Sequence, residues 1–282
     1  MSEDKTREER NKVFQGSTAS QMMPKTNVML EEFGYEVPVE SVPLPSGGIT
    51  YPPESPLYRK ETVEIRAMTA REEDILTSQN LIKKGVVVDR LLDSLILTKN
   101  VTIADLFVGD KNAVMIAARI LAYGSEYKVE IEDPDSGTRI EHNFDLSDLN
   151  YKQLPEDIVY DKNEFNFTLP LSKKDVVIKL LNGRDESIIE QELTSLNKIS
   201  GRVSREITTR LKHSIVSIDG ESDRKYISEF VDSMLARDSL FLRNKISEIM
   251  PDIILEQEIE TEEGNVVKVD IPMTTNFFWP QS

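Results

Sequence analysis

The sequence predicts an α+β chain of helical segments and β-hairpins, and three features carry that expectation. Apolar residues recur at helical spacing in four stretches, around positions 88–95, 114–121, 227–235 and 242–249. Two pairs of alternating runs, 127–131 with 139–144 and 254–259 with 266–271, each flank turn-forming residues and read as hairpins. Each hairpin follows helices, so a helices-plus-hairpin unit is expected to occur twice.

From Met1 to about Tyr58 the chain has little period, with prolines at 24, 38, 43, 45, 52, 53 and 56. Proline fixes φ and pushes its predecessor toward extended conformations, so residues 1–58 are expected to form an extended, Pro-rich N-terminal arm. Apolar residues set into it, from Val28 to Leu44, suit an arm laid on a partner. Leu44-Pro45-Ser46-Gly47-Gly48 reads as a tight turn.

Ordered structure is expected to begin with a strand at Thr62–Arg66, followed by a helix from Ala70 to about Asn80 that Thr69 and Glu72 start as a capping box. Val88, Leu91, Leu92 and Leu95 then form a core-facing stripe. Asp110 is read as the cap of the next helix, whose Val114, Ala117, Ala118 and Leu121 share a face and whose end is marked by Gly124. After the first hairpin come strand-like Phe165–Leu169 and Val176–Leu180 and a polar helical stretch from about Ser187 to Leu211. Ile227, Phe230, Val231, Met234 and Leu235 mark one further helix, and Leu242, Ile246 and Ile249 another, with Asp238 as cap and Pro251 as stop. A boundary near Asn150 to Asp161 divides the rest into a first α+β unit, 59–150, and a second, 151–282.

Composition narrows the function. In 282 residues, 34 basic and 50 acidic side chains give a net charge of −16, which argues against nucleic-acid binding, since neutralising phosphates needs a basic face. There is no cysteine, which excludes disulfides, thiol nucleophiles and cysteine-ligated metals. No apolar run approaches the roughly 18 residues that span a bilayer. No export signal is evident after Met1, so the chain is expected to be soluble, without a membrane partner.

Catalytic signatures are missing. The only histidines, His142 and His213, stand in opposite halves of the sequence, and ordinary surface or partly buried positions explain both. Phosphate-cradling loops, H-E-x-x-H and the G-x-S-x-G elbow are absent. Arg71-Glu72-Glu73-Asp74 suits a first helical turn without any function. Glu132, Asp133 and Asp135 form an acidic turn whose Gly137 comes one place too early for an EF-hand loop. These carboxylates leave a hydrolase only as a remote alternative, and neither a cofactor nor a metal nor a small-molecule substrate is expected.

The C-terminus places Phe277-Phe278-Trp279 just before the end of the sequence. Aromatics at a terminus either dock on the chain's own core, the plainer reading, or anchor a partner. Phe33, Tyr35, Phe277, Phe278 and Trp279 are the candidate partner contacts.

Several segments resemble one known family. Pro43-Leu44-Pro45-Ser46-Gly47-Gly48-Ile49-Thr50-Tyr51-Pro52, Val63 to Thr77, Leu81-Ile82-Lys83-Lys84-Gly85, Gly109-Asp110-Lys111-Asn112-Ala113, Ala118 to Gly124 and the final Phe277-Phe278-Trp279-Pro280 are similar to the baseplate proteins of T-even-type contractile-tailed bacteriophages. The likeness is dense from Val42 to Leu146 and thinner afterwards. It implies a non-enzymatic tail protein that binds other tail and baseplate-hub proteins during hub assembly, as a chaperone-like factor or as a permanent subunit of the virion baseplate. It places the protein in the host cytoplasm during infection or in the tail baseplate of the virion. Relatives often carry C-P-x-C-G at hairpin turns, the look of a zinc knuckle. Here the first turn reads Asp133-Pro134-Asp135-Ser136-Gly137, and the second has Glu260 and Glu263 before Gly264, so the resemblance does not carry zinc over.

Overall fold

A computed structural model describes residues 34–132, 137, 139–200, 205–260, 264–273 and 275–278. Its first half opens with β1 (Val39–Pro43), which pairs antiparallel with β2 (Thr62–Arg66), Val42 standing opposite Val63. Three helices follow: α1 (Ala70–Thr77), α2 (Gln79–Lys83) and α3 (Val87–Leu95). Directly after α3, Ile96 bridges Ile65, so the chain returns to the edge of β2. A 3₁₀ turn at Ile103–Asp105 leads into the long helix α4 (Val108–Tyr123), then into the hairpin of β3 (Glu126–Glu132) and β4 (Arg139–Asp145). Helix α4 is covered on nearly every side, burying Ala113 through Arg119 without a break, as expected of a helix at the centre of a core.

The same order of elements then recurs. Strands β5 (Phe165–Thr168) and β6 (Asp175–Ile178) pair antiparallel, and α5 (Gly183–Ser200) and α6 (Glu206–Ser214) follow. Strand β7 (Ile215–Ile218) returns to β6, Ile215 opposite Ile178, as Ile96 returns to Ile65. Then come α7 (Arg224–Ser233), the long helix α8 (Ala236–Ile249) and the hairpin of β8 (Glu256–Glu260) and β9 (Val266–Asp270). The α+β class and the twice-used helices-plus-hairpin order are therefore as the sequence predicts.

Side chains repeat with the elements. A base at the end of the second strand pairs with the third residue of the next helix in both halves: Arg66 with Glu72 at 2.8 Å and Lys179 with Asp185 at 2.8 Å. Both of those acids close a capping interaction, Glu72 accepting from the Thr69 N–H and Asp185 from the Asn182 N–H. Each long helix buries an aspartate in its first turn, and each accepts from the backbone of the loop between the first two strands of its own half, Asp110 from the Ser46 N–H and Asp238 from the N–H groups of Leu171 and Ser172. Each hairpin is tied at its base by one backbone bond, Leu146 N–H to the Ser125 carbonyl and Ile271 N–H to the Leu255 carbonyl.

One continuous set of buried apolar side chains runs from Val42 to Phe278 through both halves. The halves meet where α5 begins: the Gly183 N–H donates to the Leu106 carbonyl at 3.0 Å, and Arg184 pairs with Asp105 at 2.6 Å. A Cβ on Gly183 would stand 2.9 Å from the Ala104 Cα, so glycine is required by close approach of two backbones. Gly183→Ala is expected to cost about 2 kcal/mol, since overpacking at such a contact forces backbone shifts. Chemical denaturation measures it, and an unchanged midpoint would mean the halves can separate slightly at no cost.

Several expectations need correction. The arm ends earlier than position 58: from Val39 onward the chain pairs with β2, and Val42, Leu44, Tyr51 and Leu57 are buried. The prolines dictate extended backbone and turns, and here a short strand at Val39–Pro43 and the turns after it are packed. The first helix stops at Thr77, because Ser78 is extended, and α2 starts anew from it. The polar helical stretch begins at Gly183 and is two helices. Met234 and Leu235 lie between α7 and α8, outside either helix. Asp110 and Asp238 are not caps; Phe107 and Leu235 hold those positions, and the aspartates reach away to distant loops.

Candidate interaction site

The C-terminal aromatics are placed by α4 and β3. Phe277 and Phe278 lie in the 3₁₀ turn Thr275–Phe278 and are fully buried. The Phe277 ring meets Tyr127 edge-on at 5.0 Å and Phe278 at 5.3 Å, geometry that adds to the burial of aromatic surface. Arg119, itself buried in α4, donates from Nε to the Phe277 carbonyl at 2.9 Å and from its other nitrogens to the carbonyls of Gly124 and Glu126. Tyr127 donates to the Pro272 carbonyl at 2.9 Å. Burial lowers the pKa of Arg119, but its partners are carbonyl dipoles and an always-charged guanidinium keeps donating. As candidate partner contacts Phe277 and Phe278 are therefore corrected: they complete the chain's own core. Tyr35 is 55% exposed, and Phe33 and Trp279 lie outside the described residues.

A second polar lock holds the loop that the sequence reads as a tight turn. Asp110 accepts from the Ser46 N–H at 2.9 Å, the Ser46 hydroxyl at 2.6 Å and the Tyr51 hydroxyl at 2.6 Å. Tyr51 stacks on Phe107 at 4.4 Å and accepts the Phe107 N–H. Burial pushes the Asp110 carboxyl up, against the three donors that favour its ionised form, and burial also raises the Tyr51 hydroxyl. Ser46, Tyr51 and Asp110 are all buried, and their hydrogen bonds fasten the loop to α4.

The remaining acid–base groups are dispersed. His142 sits on β4 with its ring 4.5 Å from Phe144, and His213 on α6 is 3.0 Å from Glu192. Among the described residues no three metal-ligating side chains come together. Asp133, Asp135 and Glu263 lie outside the described residues, while Glu132 and Glu260 are exposed at strand ends. An open groove of about 350 Å³ runs between the hairpins, lined by Glu130–Glu132 and Lys268–Asp270. Among the described residues no helix is long and apolar enough to cross a membrane.

What the surface does offer is exposed apolar side chains against an acidic background. Leu171, Leu235 and Leu240 are each about half exposed; Leu235 and Leu240 flank the start of α8, and Asp238 of that helix holds the Leu171 N–H at 2.8 Å. Periodicity places Leu235 in one helix with Ile227, Phe230, Val231 and Met234; the break between α7 and α8 leaves it outside that helix and 51% exposed. Nothing local in the sequence marks that break.

A family model described as T4 bacteriophage base plate protein matches residues 43–279. No curated protein matches, and no solved structure does.

Proposed function

The chain belongs to the T4 bacteriophage base plate protein family, and from that premise we propose that it is a non-enzymatic tail protein that binds other tail proteins while the baseplate hub is assembled. The observation that carries this reading is the family match over nearly all of the described chain. Its surface chemistry supports it: a net charge of −16 attracts basic partner surfaces over a distance, and exposed Tyr35 and the leucines beside α8 give such a partner apolar anchors. Long-range attraction speeds encounter more than it tightens the final complex. Raised salt is thus expected to slow association, and an association rate indifferent to salt would remove the electrostatic part of the proposal.

Whether the chain leaves or stays is decided by quantitative mass spectrometry of purified particles beside infected-cell lysate. The proposal expects its peptides to be abundant in lysate and scarce in finished particles. A fixed ratio to known tail proteins within particles would replace the assembly factor with a permanent baseplate subunit. A carboxylate-dependent hydrolase, the remote alternative, would require wall-degrading activity lost on changing Glu132, Asp133 and Asp135 to amides.

A further inference from the structure

We infer that the groove between the two hairpins takes an extended segment of another tail protein, alternately basic and apolar, as an added β-strand. The inference rests on the reading that the chain binds tail proteins, and it names the place and the kind of segment. The groove is lined by three consecutive residues of β3, Glu130–Glu132, by three of β9, Lys268–Asp270, and by Pro272. A groove lying over one face of a strand meets alternate residues only, whereas one running along a strand edge meets every residue. This groove therefore follows the edges of β3 and β9.

Those edges are open. Among the described residues β3 pairs only with β4, and β9 only with β8. The bond at the base of each hairpin joins directly opposite residues, Leu146 with Ser125 and Ile271 with Leu255, and so sets the phase of the ladder. Hydrogen-bonded pairs recur at every second residue from there, reaching Ile131 with Ile140 in the first hairpin and Val269 with Gln257 in the second. The residues between them, Glu130 and Glu132 on β3 and Lys268 and Asp270 on β9, direct their N–H and C=O groups away from the partner strand and into the groove. Arg119 takes one outward carbonyl of this phase, that of Glu126 at the start of β3. The four residues at the groove have no backbone partner there among the described residues. An extended chain satisfies such groups main chain to main chain.

Side chains select the occupant. Over the four hairpin strands nine acidic side chains stand against three basic ones. Each of those bases is paired within its own hairpin, Lys128 with Glu141, Arg139 with Glu130 at 3.9 Å and Lys268 with Glu256 at 2.7 Å. Glu132 and Asp270 are left at the groove, exposed and with no cation among the described residues. Ile131 is buried and Val269 half-buried, on the opposite face of their strands. An added strand thus sets every second side chain beside carboxylates and the others beside Ile131, Val269 and Pro272, which suits lysine or arginine alternating with apolar residues. A second copy would bring the same acidic hairpins and a net charge of −16, and residues 1–33 hold six acidic and five basic side chains. Neither supplies the positive charge that a partner's basic segment does.

Fluorescence anisotropy of the full chain with a labelled peptide of alternating lysine and valine, about seven residues long, tests this. Binding is expected to weaken about tenfold or more when alternate backbone amides of the peptide are N-methylated, which keeps every charge and removes main-chain donors. A peptide of alternating glutamate and valine is expected not to bind. Glu130→Pro removes an N–H that its own hairpin does not use, a place where an edge strand tolerates proline, and is expected to bind the lysine peptide more weakly than Glu130→Gln does. Far-ultraviolet circular dichroism checks the fold of both variants. Absence of lysine-peptide binding overturns the proposal, as does equal binding of the plain and N-methylated peptides or of the lysine and glutamate peptides. These comparisons use the unchanged protein, so they decide even if Glu130→Pro does not fold. In infected-cell lysate, tail proteins retained equally by the wild type and a folded Glu130→Pro chain overturn the groove alone. A wild type that retains none counts against the assembly reading, and the peptides still decide the groove.

Discussion

Replacing Phe277 with alanine is expected to destabilise the fold by about 3–5 kcal/mol, the range for removing a fully buried aromatic. The ring is 0% exposed and packed edge-on against Tyr127 and Phe278, so the cavity it leaves is walled by side chains that cannot all move in. The backbone carbonyl of the same residue holds Arg119. Loosening the tail therefore also leaves a buried guanidinium short of one partner, a costly outcome for a charged donor. Urea denaturation of Phe277→Ala, Arg119→Met and the double variant measures both the loss and the coupling. The double variant should lose less than the sum of the singles, because the two act on one contact. Tyr35→Ala, at an exposed site, is the comparison expected to stay within about 0.5 kcal/mol of wild type. The same experiment separates two roles for the C-terminal aromatics. A partner anchor would leave stability intact and lose only the complex, whereas a core element loses stability first, and a loss under about 1 kcal/mol for Phe277→Ala would contradict the core role.

What the sequence discloses and what it hides follow from the range of each interaction. The hairpins are legible because alternation and turn residues lie within a few positions of one another, and the Thr69–Glu72 capping box because its members are three apart. The matching Asn182–Asp185 cap carries the same local signal, three residues apart, and marks the start of α5 at Gly183. Asp110 is different. A local rule makes an aspartate near a helix start a cap, yet its partner Ser46 is 64 residues away. Arg119 and Phe277 are 158 residues apart, and neither residue type announces the other. Proline content gives Val39–Pro43 correctly as extended, while residues 44–57 run through turns, and burial there comes from β2 and α4, beyond any local window. The family likeness reached further than physics did, since it draws on whole segments in order.

Glu72→Gln is expected to remove about 3 kcal/mol at neutral pH and to flatten the acid side of the stability curve. Glu72 is 1% exposed, and burial alone would raise its pKa. The Arg66 guanidinium, at 2.8 and 3.1 Å, and the Thr69 hydroxyl and N–H, at 2.6 and 3.0 Å, outweigh burial and hold the carboxyl down to about 2. An unfolded glutamate titrates near ~4.3, so the folded form binds its proton more weakly than the unfolded form does. The stabilisation is thus complete above about pH 4.3 and is lost as pH falls toward about 2, where wild type and variant should converge. Glu73 shares the first turn of α1 but is exposed, so Glu73→Gln loses any favourable interaction with the helix dipole without touching the Arg66 contact. Glu73 also accepts from the Tyr123 hydroxyl at 3.0 Å, so the difference between the two amides sets the buried network that joins β2 to α1 against the dipole and that one exposed hydrogen bond. Parallel curves for wild type and Glu72→Gln across the acid range would mean that the carboxylate is not held ionised, and the strand-to-helix link would then rest on packing alone.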